Sequence, residues 1–185
     1  MRLGRLRHLG VGALGLFSIQ AARAAGAAKI IAIALSSDGE GRFDMARKCG
    51  ATHVIKSDLE DPVAGVKEIT RGEGCSCVVD AAGVNVIMPM MLGIVRTAGI
   101  IVKIGYDHHP YGNSLDPFID GAIALKGHFG YDWVSWRNVA NLVEAGKFDL
   151  KCMISHKMKV SEFREAFDMV RRKESIKIIL YPEEI

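Results

Sequence analysis

Short apolar runs alternate with one-sided apolar stripes along this chain. Lys29-Ile-Ile-Ala-Ile-Ala34 is apolar without alternation, the pattern of a strand buried on both faces of a parallel sheet. Thr52–Ile55, Cys77–Asp80, Gly99–Ile104 and Ala124–Phe129 are further strand candidates. Between them lie helical stretches. Ala13–Ala25 carries Leu14, Phe17 and Ile19, and Gly26 stops it. Arg42–Cys49 ends at Gly50. Pro62–Thr70 places Val63, Val66 and Ile69 on one face. Val86–Val95 and Trp136–Ala145 complete the set. Strand and helix recurring in this way predict an α/β fold, a doubly wound parallel sheet with right-handed crossovers.

Residues 150–185 read differently: strand Met153–His156, helix Ser161–Arg172, strand Ile176–Tyr181. Ser161 followed by Glu162 predicts an N-cap with an acidic first turn. The chain thus divides into a sheet domain, 1–149, and a C-terminal segment, 150–185.

Composition narrows the class. Of 185 residues 49% are hydrophobic and 24% charged, enough for a packed core. The net charge of +3 comes without a clustered basic face, which argues against a nucleic-acid binder. Four cysteines do not make a disulfide scaffold, and Cys75-x-Cys77 has the wrong spacing for a zinc knuckle. Adjacent His108 and His109 have no evident third ligand, so they read as loop residues.

Two readings compete at the N-terminus. Arg2, Arg5 and Arg7 before an apolar run, then Ala22-Arg-Ala-Ala25, resemble a secretory leader. The run is too short to span a bilayer. Gly10-Val-Gly-Ala-Leu-Gly15 is instead G-x-G-x-x-G opening a helix, with an apolar strand after it. Gly10 permits the tight turn, Gly12 lets backbone approach a pyrophosphate, and Gly15 lets the helix pack closely. The free N–H groups of that helix end suit phosphate. The glycine reading predicts residence in the cytoplasm; the leader reading predicts secretion. One element fits poorly. Arg5-Leu-Arg-His-Leu9 is too polar for a central strand, so the strand is either short and frayed or lies upstream.

Residues 10–182 resemble the cofactor-binding half of the medium-chain, zinc-type alcohol dehydrogenases, in the sorbitol, threonine and butanediol dehydrogenase branch. The residues that carry the resemblance are Gly10–Ala27, Ala46–Ile55, Val79-Asp-Ala-Ala-Gly83, Gly127-His-Phe-Gly-Tyr131, Ile154-Ser-His156, Glu165-Ala-Phe167 and Ile176-Lys-Ile-Ile-Leu180, in collinear order. The resemblance implies a Rossmann-type domain and an oxidoreductase moving hydride between a small alcohol or polyol and a nicotinamide dinucleotide. It implies a pyrophosphate loop at Gly10, Gly12 and Gly15. It places Ala82 and Gly83 beside the nicotinamide ribose, and Ile104 and Gly105 near the nicotinamide. Phe129, Gly130 and Tyr131 form a loop closing over that end, and Lys177 reaches the pyrophosphate. In the family, zinc ligands belong to a domain preceding the glycine loop. Only residues 1–9 precede it here, so the resemblance gives no catalytic or metal residue in this chain and implies a truncated or alternatively started product, or a fragment. The tail would then pack on that domain, leaving Met153, Phe163, Phe167 and Ile178 partly exposed without it. The family also implies a homo-oligomer formed through the edge near Ile123–Phe129.

The slot that reads the ribose in such folds, 19 residues past Gly15, is Ala34. Without a carboxylate there, Ser36, Ser37 and Arg42 are placed to hold a 2′-phosphate, which favours NADP over NAD. Asp38 or Glu40 swinging in would restore NAD. Three other readings stay open: a non-catalytic dinucleotide-binding fragment, a zinc-free quinone-reductase-like enzyme and, more weakly, a methyltransferase.

Overall fold

The computed structural model describes residues 5–183. Arg2, the first basic residue of the leader reading, lies outside them. The elements run β1 (Arg5–Leu9), α1 (Ala13–Ala24), β2 (Lys29–Ala34), α2 (Glu40–Cys49), β3 (His53–Lys56), α3 (Pro62–Thr70), β4 (Cys75–Asp80), α4 (Met88–Ile94), β5 (Val95–Lys103), α5 (Asp116–Asp120) and β6 (Ala124–Gly127). Then follow α6 (Trp133–Glu144), β7 (Ile154–Lys159), α7 (Phe163–Arg171) and β8 (Lys177–Tyr181).

The first six strands form one parallel sheet in the order β3-β2-β1-β4-β5-β6. This is the doubly wound Rossmann arrangement. The chain reverses direction across the sheet between β1 and β4, and ligands in such sheets bind at that reversal. The period-2 geometry of β2 explains its unbroken apolar run. Ile30, Ala32 and Ala34 face a core shared with Leu16, Ile19 and Phe43, while Ile31 and Ile33 face a second core with Val66, Met91 and Ile101.

β1 corrects the expectation of an upstream strand. Its five residues, Arg5–Leu9, pair in parallel with both β2 and β4. Backbone ladder bonds do not depend on side-chain polarity, so a strand held on both sides forms despite its composition. The leader reading also meets a cost. Leu16 and Ile19 of α1 are fully buried and belong to the core. Among the described residues no helix is long and apolar enough to cross a membrane.

The tail forms a separate parallel pair, β7-β8, with α7 between. Two expectations change here. α7 begins at Phe163, after a 3₁₀ turn at Val160–Glu162, and Glu162 rather than Ser161 caps the turn by accepting from the Lys159 N–H at 2.7 Å. Met153 is not left wet: it is 1% exposed, inside the core of α1 and α2, whereas Phe163 and Phe167 are exposed. The loop after β5 contains a short helix, α5, which the sequence pattern did not predict. β6 is the sheet edge and all four of its residues are exposed.

Candidate functional site

The turns after β1, β2 and β4 enclose a cleft of about 470 Å³. Gly10 and Gly12 line it, with Ala34 at the end of β2 and Ala82 after β4. Gly10 sits at φ +93°, where glycine is nearly required, with its amide bonded to the Ile33 carbonyl at 2.9 Å. A Cβ on Gly15 would stand 1.8 Å from the Gly10 carbonyl oxygen, so Gly15 serves the approach of α1 to the turn rather than the cleft wall. A Cβ on Gly12 would meet no atom within 4 Å. That open space lies at the start of α1. Asp61 caps α3 and Asp132 caps α6, but α1 starts on Gly12 with no side-chain acceptor for its first N–H groups. A helix end left uncapped beside an open cleft is a ready anion cradle. These residues fit the pyrophosphate of a dinucleotide.

Asp80 holds the turn after β4 in shape. It is fully buried, and its Oδ1 accepts from the Ala82 and Gly83 amides at 3.0 and 2.9 Å. Its Oδ2 pairs with Lys103 Nζ at 2.7 Å. The same strand end accepts the Ile104 and Gly105 amides on its backbone carbonyl. Gly105 then passes so close to Gly83 that a Cβ would come within 2.4 Å of it. Gly83 and Gly105 are thus close-approach positions; Gly83 lines a groove that shares Ala82, Val84 and Val86 with the main cleft, and Gly105 lines a separate groove.

Ile104, Phe129, Gly130 and Tyr131 come together elsewhere, around a second, apolar cavity of about 650 Å³. Leu14 and Phe17 of α1 and Trp136 of α6 share its walls. Tyr131 meets Trp136 edge-on at 5.5 Å, and Tyr106 meets Phe129 edge-on at 6.2 Å. Most of these rings are open to solvent.

The residues expected at the ribose end divide. Ser36 gives both its amide and its hydroxyl to Asp58, which holds that carboxyl below the usual range. Ser37 is exposed and outside the cleft wall. Arg42 turns away: its guanidinium donates to the Lys173 and Ser175 carbonyls at 3.3 and 2.8 Å, and it does not line the cleft. Both bonds come from Nη2, which draws the guanidinium to the 173–175 turn and away from the cleft wall. Lys177 opens β8, exposed and outside the cleft lining.

Other residues take those places. Asp38 enters the cleft wall with its side chain only 16% exposed and pairs with Lys173 Nζ at 2.9 Å. Ser57, Val86 and Met90 also line the cleft. Asp38 was visible as a nearby carboxylate, but no periodicity or motif flagged Lys173, which arrives from 135 residues away. Among the described residues no three His, Cys, Asp or Glu side chains converge as a metal site. The residues present therefore do not fit the zinc that the resemblance brings with it.

Comparison with known proteins fits this geometry. The family profile for zinc-binding dehydrogenases matches residues 13–145. An uncharacterized zinc-type alcohol dehydrogenase-like protein, YdjL of Escherichia coli, is 34% identical over 172 residues, covering 93% of this chain and 48% of that protein. The L-threonine 3-dehydrogenase of Bacillus licheniformis is 29% identical, over 94% of this chain and 50% of its own length. Among solved structures, the alcohol dehydrogenase TADH from Thermus sp. ATN1 superposes with a TM-score of 0.89 at 25% identity, covering 98% of this chain and 51% of that one. The 2R,3R-butanediol dehydrogenase of Bacillus subtilis gives 0.87 at 26%, covering 99% and 52%. The chain spans about half the length of the relatives it matches. With the glycine turn at the sheet's reversal point and these matches along nearly its whole length, the chain belongs to the zinc-binding dehydrogenase family.

Proposed function

We propose that this chain is the nicotinamide-dinucleotide-binding part of an alcohol or polyol dehydrogenase and that it prefers NAD. The observation that carries the reading is the uncapped start of α1, with open space over Gly12, beside the cleft of Gly10, Ala34 and Ala82. The pyrophosphate would lie on the Gly10–Gly12 backbone and the α1 amides. Ala82 and Gly83, braced by Asp80, would flank the nicotinamide ribose. The nicotinamide would point toward Ile104 and Gly105, where the apolar walls of Phe129, Tyr131 and Trp136 would keep water from the ring. The bound coenzyme supplies a hydride acceptor or donor at that ring. The relatives' names point to alcohols as the other reactant.

NAD is preferred over NADP on three grounds. Arg42 and Ser36 are engaged elsewhere, and a carboxylate, Asp38, stands in the cleft. A carboxylate accepts from ribose hydroxyls and repels a 2′-phosphate. We also propose self-association through β6, whose unpaired edge offers ladder groups to a second copy.

The test is a titration of the chain with NADH and NADPH, followed by energy transfer from Trp133 and Trp136. Saturable binding, tighter for NADH, is expected. Gly12→Val fills the space meant for the pyrophosphate and should weaken binding at least about tenfold with the circular dichroism spectrum intact, a loss near 1.4 kcal/mol or more. A folded wild-type chain that binds neither nucleotide would overturn the reading.

A further inference from the structure

We propose that Lys173 is the residue through which the C-terminal segment sets coenzyme choice. It holds Asp38 in place for the ribose hydroxyls, and it is itself a masked ligand for a 2′-phosphate. The proposal rests on the dinucleotide reading above and deepens it.

Three observations converge on this position. Lys173 lines the same cleft as Gly10, Ala34 and Asp38, although it belongs to the turn between α7 and β8. Its Nζ lies 2.9 Å from Asp38 Oδ1, and the carboxylate is much the more buried partner. The ammonium therefore decides where that carboxylate points. The turn is fixed independently of the ion pair. Arg42 donates to the Lys173 and Ser175 carbonyls, and the Lys173 and Glu174 amides close on Val170 and Met169 at the end of α7. The Nζ is thus delivered to the cleft by a braced backbone.

The backbone adds the third observation. Lys173 has φ +60°, the left-handed region where glycine sits without strain at a helix C-terminus. Arg71 ends α3 in the same region, so what distinguishes Lys173 is that its side chain, unlike that of Arg71, reaches the cleft wall.

The chemistry follows from charge. With Asp38 present, the pair is neutral and its carboxylate oxygens accept from a ribose diol. A 2′-phosphate at that place meets the carboxylate, and the ammonium is already paired. Without the carboxylate, the ammonium faces the cleft unpaired, and a lysine is a sufficient point-charge ligand for phosphate.

Four proteins test this by the same fluorescence titration with NADH and NADPH: wild type, Lys173→Gly, Asp38→Ser and the double variant. Glycine suits the left-handed position, so Lys173→Gly keeps the fold, with circular dichroism as the check. Wild type should favour NADH. Lys173→Gly should weaken NADH severalfold, because Asp38 loses its hold. Asp38→Ser should move the NADPH-to-NADH affinity ratio at least about tenfold toward NADPH. The double variant should lose that gain, the coupling expected of residues acting as a pair. Equal NADPH affinity in Asp38→Ser and the double variant overturns the proposal, as does an NADH affinity that Lys173→Gly leaves unchanged or a wild type favouring NADPH. A folded wild type that binds neither nucleotide overturns the dinucleotide reading itself, and the proposal with it; NADH binding by the wild type that Lys173→Gly leaves at full strength overturns the Lys173 proposal alone.

Discussion

β2 and β7 are both six-residue strands in parallel pairings, yet five of six β2 residues are buried and none of β7 is. The difference lies in what covers them. β2 has strands on both sides and helices on both faces, so its side chains alternate between two cores. β7 pairs with β8 alone, and α7 leaves Phe163, Phe167 and Val170 exposed. The cleft of Gly10, Ala34 and Ala82 is therefore built mainly by a body with two filled cores, although its β6 edge stays exposed. The tail touches that body around Cys152 and Met153, at Ile176 and at the Lys173 turn. One region supplies stability, and the other supplies a side chain.

Loss of a phenyl ring from each region would break this comparison if it is wrong. Phe43 is fully buried in the core beneath α2. Phe43→Ala should cost about 3–5 kcal/mol, read as a drop in the urea midpoint. A loss below about 1 kcal/mol would mean that the body is not the close-packed unit described.

That asymmetry was partly legible beforehand. The unbroken apolar run of β2 and the glycine turn specified the body, because burial on both faces and φ > 0 each leave a compositional mark. β1 was legible only as an anomaly, since its ladder partners, not its residues, make it a strand. Met153 sits in a segment whose large apolar residues Phe163, Phe167 and Val170 stay exposed, so its burial depends on a long-range contact that no local pattern encodes. The contacts at the ribose end were hidden for the same reason. Ser36 and Arg42 have the right chemistry at the right spacing, but Asp58 and the 173–175 carbonyls claim them first. Lys173 could not be found from the sequence, because a lysine after a helix is ordinary until its turn is placed in space.

Met153→Ala sharpens the comparison at the seam. Met153 is the buried tail residue that belongs to the core of α1 and α2. Its truncation should cost about 2–3 kcal/mol and should loosen the Lys173 turn as well. Hydrogen exchange ought to quicken in β7, α7 and β8 before it does so in β2. Equal acceleration in both regions would mean that tail and body unfold as one unit.

Alkaline pH offers a third, smaller probe, because perturbed thiols lie both in the body and at the seam. Burial pushes Cys77 up to about 11, with Cys75 adding to it. Burial first, and then Cys152, push Cys49 up to about 11 despite the amide of Gln20. Both raised values favour the neutral thiol in the folded state. In the unfolded chain they ionise near pH 9, so unfolding releases protons between pH 9 and 11. Stability is fully present below pH 9, falls as pH rises toward 11 and levels off beyond. Cys49→Ala and Cys77→Ala should each flatten part of that fall in the urea midpoint. A profile that neither substitution changes would assign the loss to other groups.

The smallest effect belongs to the exposed face of α7. Phe167 is 59% exposed, so Phe167→Ser removes little buried area and should alter stability by no more than about 0.5 kcal/mol. It should also lower the fluorescence of a dye such as ANS, which binds exposed apolar surface. The contrast with Phe43→Ala is the measurement: the same ring is lost from two regions, with nearly all of the stability cost in one. A loss above about 2 kcal/mol at Phe167 would show that this face is covered in solution. If that loss grew with protein concentration, the cover would be a second copy of the chain, because only association makes stability depend on concentration. The tail would then owe its order to assembly rather than to its seam with the body.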